Sequence, residues 1–138
     1  MIAKAQTEMT GKEKKQLIKA QQGELDAVIL YRKLAELTSE TKNKALFLKI
    51  ASDEGKHAGI LRKYTGENLE SKNLKSLIVT GIYGIFGIKI MLKILAKGEF
   101  EAAKKYSSLA TKFPDIQVII KDENLHGELM RDMAINLK

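Results

Sequence analysis

The chain has no cysteine, which excludes disulfides, zinc ribbons, thiolate catalysis and cysteine-ligated iron–sulfur clusters. Tryptophan is also absent, proline occurs once and aromatic residues make up only 6% of the sequence. With Ala, Leu, Ile, Lys and Glu dominating instead, the composition predicts an all-α protein. Long hydrophobic runs are missing too. The charge-free stretch from Ser76 to Ile88 has 13 residues, where a membrane span needs about 20. The start, MIAKAQTEMTGKEKK, has no apolar core of the kind a signal peptide carries, so a cytoplasmic location is expected. At 138 residues, the chain suits one domain with a real core.

Negative charge is in short supply. The net charge is +7, and Lys4, Lys12, Lys14, Lys15 and Lys19 crowd the first twenty residues. Such a run can attract nucleic acid or an anionic membrane, but it more often forms a solvated face. Nucleic acid is therefore not an expected partner.

Two stretches repeat. Residues 23–35 read GELDAVILYRKLA and residues 98–110 read GEFEAAKKYSSLA. Without a gap they share Gly23/Gly98, Glu24/Glu99, Ala27/Ala102, Tyr31/Tyr106, Leu34/Leu109 and Ala35/Ala110. A five-residue signature follows each copy: Asp53-Glu54-x-x-His57, then Asp122-Glu123-x-x-His126. The chain has only two histidines, and both lie in this signature. A helix pair has been duplicated, and four glutamates, two histidines, two tyrosines and two aspartates persist in both copies.

Apolar residues recur at three- and four-residue steps, the period of amphipathic helices. Residues 1–11 form an N-terminal tail ending in Thr10-Gly11, and residues 12–138 the helical domain. The first helix is expected over about Lys12–Thr38, with Leu17, Ile18, Ala20, Leu25, Val28, Ile29, Leu34 and Leu37 on its apolar face. Thr41 is a candidate N-cap for a second helix to about Tyr64, carried by Ala45, Leu46, Leu48, Ile50, Ala51, Ala58, Leu61 and Tyr64 and stopped by Gly66. GENLESKN and LKSLIVTGIYGIFGI then form a long crossover, read as a short helix or irregular segment packed through Gly81, Gly84 and Gly87. The third helix is expected from about Phe86 to Lys112. The fourth runs from about Asp115 to Asn136, with Ile116, Ile119, Ile120, Leu125, Leu129, Met130 and Met133 inward.

Residues three apart on a helix share a face, about 60° apart. Glu54 with His57, and Glu123 with His126, can thus each point two groups at one spot. Tyr31 lies two turns beyond Glu24 on the same side, as Tyr106 does beyond Glu99. Both are placed to hydrogen-bond the groups that would hold a metal. Four buried glutamates cannot all be anionic in a dry core without compensation. Two divalent cations would supply it, and oxygen with imidazole but no sulfur points to iron or manganese rather than structural zinc.

One glutamate from each of two helices plus Glu-x-x-His from each of two others is the ligand set of ferritin-like di-iron carboxylate proteins. Over roughly residues 12–136 the chain resembles rubrerythrins. By its GE(x6)Y(x2)LA repeat and glycine-rich approach to the third helix, it more closely resembles the ferritin-like domains of vacuolar-iron-transporter-type proteins. The resemblance implies a ferritin-like four-helix bundle with a long crossover between helices two and three, holding two iron ions per chain, or manganese in their place. It implies Glu24 and Glu99 as terminal ligands, Glu54 and Glu123 as bridging ligands, and His57 and His126 as one nitrogen ligand for each ion. Tyr31 and Tyr106 match the family's active-site tyrosines. Asp53 and Asp122 are candidates to orient the imidazoles.

Two departures from rubrerythrins follow from the same comparison. Their iron–sulfur module cannot exist in a cysteine-free chain, so an enzyme of this kind would need an external electron-donor protein. Their additional carboxylate on the third helix falls at Ala102, with Glu101 one position off, which counts against a rubrerythrin-type peroxidase cycle. The expected chemistry is oxidoreductase chemistry of ferroxidase or peroxidase type, with dioxygen or hydrogen peroxide as oxidant. The alternative is a non-catalytic module that captures iron and delivers it to a transporter. A homodimer is expected, and residues 77–88 are the expected contact with a membrane or transporter.

Overall fold

A computed structural model of the chain describes residues 9–137. Residues 1–8, which hold Lys4 and most of the expected tail, lie outside that range. Among the described residues there are five helices and no strand: α1 (Gly11–Leu37), α2 (Thr41–Thr65), α3 (Leu74–Phe86), α4 (Ile88–Ala110) and α5 (Ile116–Asn136). This all-helical order is consistent with a ferritin-like helical bundle, α3 being the helix within the crossover. The chain divides into two compact units, Met1–Leu77 and Ile78–Lys138, each built on one helical pair.

In the first unit, α1 starts from a capping box. The Thr10 hydroxyl accepts from the Glu13 amide, and the Glu13 carboxylate accepts from the Thr10 amide, both at 3.0 Å. Helix α2 is capped by Glu40 rather than Thr41: its carboxylate oxygens take the Lys42 and Asn43 amides at 3.0 and 2.8 Å. Glu40 reaches them from the residue before the helix, and the negative charge suits a helix start. Gly66 ends α2 in the left-handed conformation, φ 68°, as its place in the sequence predicts. As α1 advances from Gln21 to Glu24 to Tyr31, the α2 partner recedes from Thr65 to His57 to Phe47. The two helices are therefore antiparallel.

Leu17, Leu30, Leu34, Phe47, Ile50 and Leu61 are fully enclosed. Burying each contributes about 1.5–3 kcal/mol, which offsets the cost of the polar groups buried beside them. Leu37, Ala45 and Leu48 face outward instead of into the apolar stripe. The inward seam runs through Leu17, Gln21, Glu24, Ala27, Leu30, Tyr31 and Leu34, so polar residues occupy positions that an apolar pattern assigns elsewhere. The polar connector after Gly66 is pinned to α1: Gln21 donates to the Glu67 carbonyl, Gln22 to the Glu70 carbonyl, and the Asp26 carboxylate accepts from the Lys72 amide.

In the second unit, α4 and α5 pack together through a five-residue connection, which makes them antiparallel neighbours. Leu92, Phe113, Ile116, Ile119 and Met130 are fully buried. Leu125 and Leu129, expected to point inward, are exposed, because Glu123, His126, Gly127 and Met130 take the inward seam of α5. Helix α4 starts at Ile88, two residues later than expected, and α5 at Ile116, one residue later.

The crossover glycines do not mediate close packing. A Cβ added at Gly81, Gly84 or Gly87 would meet nothing within 4 Å. What Gly87 supplies is backbone freedom: with φ 85° and ψ 176° it occupies a region essentially restricted to glycine, and there α3 ends and α4 begins. The close approach lies elsewhere, at Gly127, where a Cβ would sit 2.8 Å from the Phe100 ring.

Candidate metal centre

Glu24 comes from the middle of α1, and Glu54 and His57 from one face of α2. All three are buried, His57 completely. His57 Nδ1 lies 3.2 Å from Glu54 Oε1 and 3.4 Å from Glu24 Oε2. In the second unit Glu99 comes from α4, and Glu123 and His126 from α5, again buried. His126 Nδ1 lies 3.5 Å from Glu123 Oε1 and 3.9 Å from Glu99 Oε2. Within each triad, one ligand atom per residue falls inside 4.8 Å of the others.

These triads suit a first-row divalent cation. Two ligand atoms each about 2.1 Å from one ion are roughly 3.0 Å apart at a right angle and about 3.4 Å apart at a tetrahedral one. Both His57–carboxylate distances already match those spacings, and the His126–carboxylate distances are a few tenths of an ångström longer. A charge-assisted hydrogen bond would be shorter, about 2.7–2.9 Å. Charge agrees with geometry: two carboxylates and a neutral imidazole carry −2, which one divalent ion cancels, removing most of the burial cost.

The family model for rubrerythrin matches residues 15–86, just over half of the sequence. The chain belongs to the rubrerythrin family. The family is part of the ferritin-like di-iron superfamily, so iron binding is what membership implies. The rubrerythrin match contains Glu24, Glu54 and His57 but stops before Glu99, Glu123 and His126; the internal repeat is what extends the pattern to the second triad. No curated protein and no solved structure gives a significant match. The expected likeness to vacuolar-iron-transporter-type proteins is not shown by these comparisons.

Around the two triads the copies differ. Tyr31 is buried and its ring stacks on Phe47, centroids 6.3 Å apart; Tyr106 is buried on α4. Asp53 is buried and both its oxygens accept from Lys49 Nζ at 2.8 Å. The residue four before Asp122 is Val118 rather than a lysine. Ala102 is half-buried, whereas Glu101 is exposed beside Lys97 at 4.0 Å.

Gln21 is a buried polar residue that the sequence reading passed over. It sits one turn before Glu24, its carbonyl accepts from the Thr65 hydroxyl, and its amide donates to the Glu67 carbonyl. Its spacing from Leu17 and Glu24 was the available signal. The matching residue of the second copy is Ala96, also buried.

Proposed function

We propose that this protein holds two iron ions with Glu24, Glu54, His57, Glu99, Glu123 and His126, one imidazole to each ion, and oxidises them from the ferrous state. The observation that carries the reading is the pair of buried Glu–Glu–His triads, each with ligand atoms inside 4.8 Å, in a rubrerythrin-family chain. The bridging role given to Glu54 and Glu123 rests on the family's ligand pattern. Two ferrous ions, when bound, supply two electrons together, enough to take dioxygen to peroxide or hydrogen peroxide to water.

The chain's own contribution is binding and orientation. The carboxylates neutralise the ions, and the helical pairs hold each imidazole with Nδ1 toward the carboxylates. Leu30 and Leu34, on the helix that carries Glu24, are fully buried. Tyr31 and Tyr106 are placed on the ligand helices to tune reactivity through hydrogen bonds. A second reading, iron capture and delivery without turnover, is favoured by Ala102, which leaves the position of the additional family carboxylate without an acid. Manganese is the alternative metal.

Anaerobic titration with Fe(II), counting metal per chain, tests the binding, and rapid mixing with dioxygen and then peroxide tests the chemistry. Two ions per chain and fast oxidation support the proposal. Two ions with rapid loss of the oxidised metal and little peroxide turnover support delivery instead. Failure to bind near two ions rejects both.

A further inference from the structure

Helix α3 presents its apolar side to solvent. Leu74, Leu77, Ile78, Ile85 and Phe86 are all more than half exposed. Leu74, Leu77, Ile78, Gly81 and Ile85 follow the three- and four-residue spacing of a single helical stripe. The opposite side, carrying Ser76 and Val79, is the buried one. On α4, Ile90 and Ile94 are also exposed. No described helix is long and apolar enough to cross a membrane, and 13 residues of helix reach only about 20 Å, short of the roughly 30 Å hydrocarbon layer.

Charge decides what this surface fits. From Ser71 to Gly98 there is no acidic residue, and Lys72, Lys75, Lys89, Lys93 and Lys97 all occur there. All five lysines are exposed. On α4 the lysines alternate along the helix with the exposed isoleucines: Lys89 beside Ile90 and Lys93 beside Ile94. A second copy of this chain, docked face to face, would bring two lysine-rich surfaces of the same sign together, a like-charge contact. A neutral apolar partner would leave Lys89 and Lys93 without counter-charge. An anionic lipid surface satisfies both components, taking apolar side chains at the headgroup boundary and pairing the lysines with lipid charge.

We infer that the segment 78–94 of the second unit, which exposes Ile78, Ile85, Phe86, Ile90 and Ile94 with Lys89 and Lys93 among them, docks the protein on an anionic bilayer. This is independent of the metal chemistry, since no residue of the triads takes part.

Co-sedimentation of the full, metal-loaded chain with vesicles tests it, using phosphatidylcholine alone and phosphatidylcholine with about one-third phosphatidylserine. Binding to the anionic vesicles is expected, with little to the neutral ones, and a loss of about tenfold between low salt and roughly 0.5 M salt. Ile78→Ser/Ile85→Ser should weaken binding by about tenfold or more, with metal content and helicity unchanged because both residues are exposed. Lys89→Gln/Lys93→Gln should remove most of the salt-sensitive part, whereas Lys12→Gln/Lys15→Gln on α1 should not. Absence of sedimentation with anionic vesicles overturns the inference. So does binding that survives both α3/α4 variants, or a dimer in solution that Ile78→Ser/Ile85→Ser dissociates.

Discussion

Replacing a buried glutamate by glutamine keeps its shape and removes its charge, so it separates the cost of burial from the role in metal binding. Glu54→Gln should raise the stability of the metal-free protein by about 1 kcal/mol or more, because the close Glu24 carboxylate loses a like-charged neighbour. It should also lower metal content and shrink the stabilisation that iron confers. Thermal melts with and without Fe(II), beside a metal count, read both effects; a metal-free form that is less stable and still binds two ions would remove Glu54 from the ligand set. Tyr31→Phe should leave metal content intact and change the rate of ferrous oxidation in stopped-flow traces, whereas loss of metal would make the tyrosine a structural support of the site. The ligand candidates were legible one residue at a time because helical spacing places Glu54 with His57 and Glu123 with His126 whatever the rest of the chain does. Gln21 and Phe47 were not legible in that way. A glutamine reads as surface until its particular partners, Thr65 and Glu67, are known, and Phe47 sits beside Leu46 and Leu48 in a run where periodicity alone does not choose the inward residue.

Helix pairing poses a different question, because the two copies solve the same packing problem with different volumes. After Glu24 and His57 the first copy has Leu25 and Ala58. At the matching places the second has Phe100 and Gly127, with the phenyl ring where an alanine Cβ would go. Gly127→Ala alone should destabilise the protein by about 1 kcal/mol, the low end for overpacking, since Phe100 is half-buried and its ring can give. It should also disturb His126, the residue just before. Combined with Phe100→Leu, the pair becomes that of the first copy, and most of the loss should return as a coupling in a double-mutant cycle measured by denaturant unfolding. Additive losses would mean that the glycine serves some other purpose than room for the ring. At this scale the sequence read well where a local rule governs, as at Gly66, and badly where polar residues took the inward seam. Leu125 and Leu129 are exposed because Glu123 and His126 occupy the same helix face that a hydrophobic count would award to the leucines.

Duplication is what made the whole molecule legible, since the family match ends at residue 86 and only the repeat carries the pattern across to Glu99, Glu123 and His126. The same duplication predicts how stability responds to metal. A metal-free chain keeps Glu24, Glu54, Glu99 and Glu123 buried, and each ion that cancels two of them stabilises the folded state alone, because the unfolded chain has no formed site. Free metal at about a hundredfold over its dissociation constant stabilises by about 2.7 kcal/mol per site. Two sites therefore give roughly 5 kcal/mol, and for a chain of this size that corresponds to a rise in Tm on the order of 15–25 °C. Calorimetry of the iron-loaded protein, repeated after exhaustive chelation, measures the difference directly. Chelation should lower Tm by that amount, and restoring Fe(II) anaerobically should recover it. Glu54→Ala, which removes a ligand outright, should lose most of the metal-dependent increment. Identical melting of loaded and chelated protein would mean that the buried acids are neutralised by something other than bound cations, and the metal assignment would fall with it.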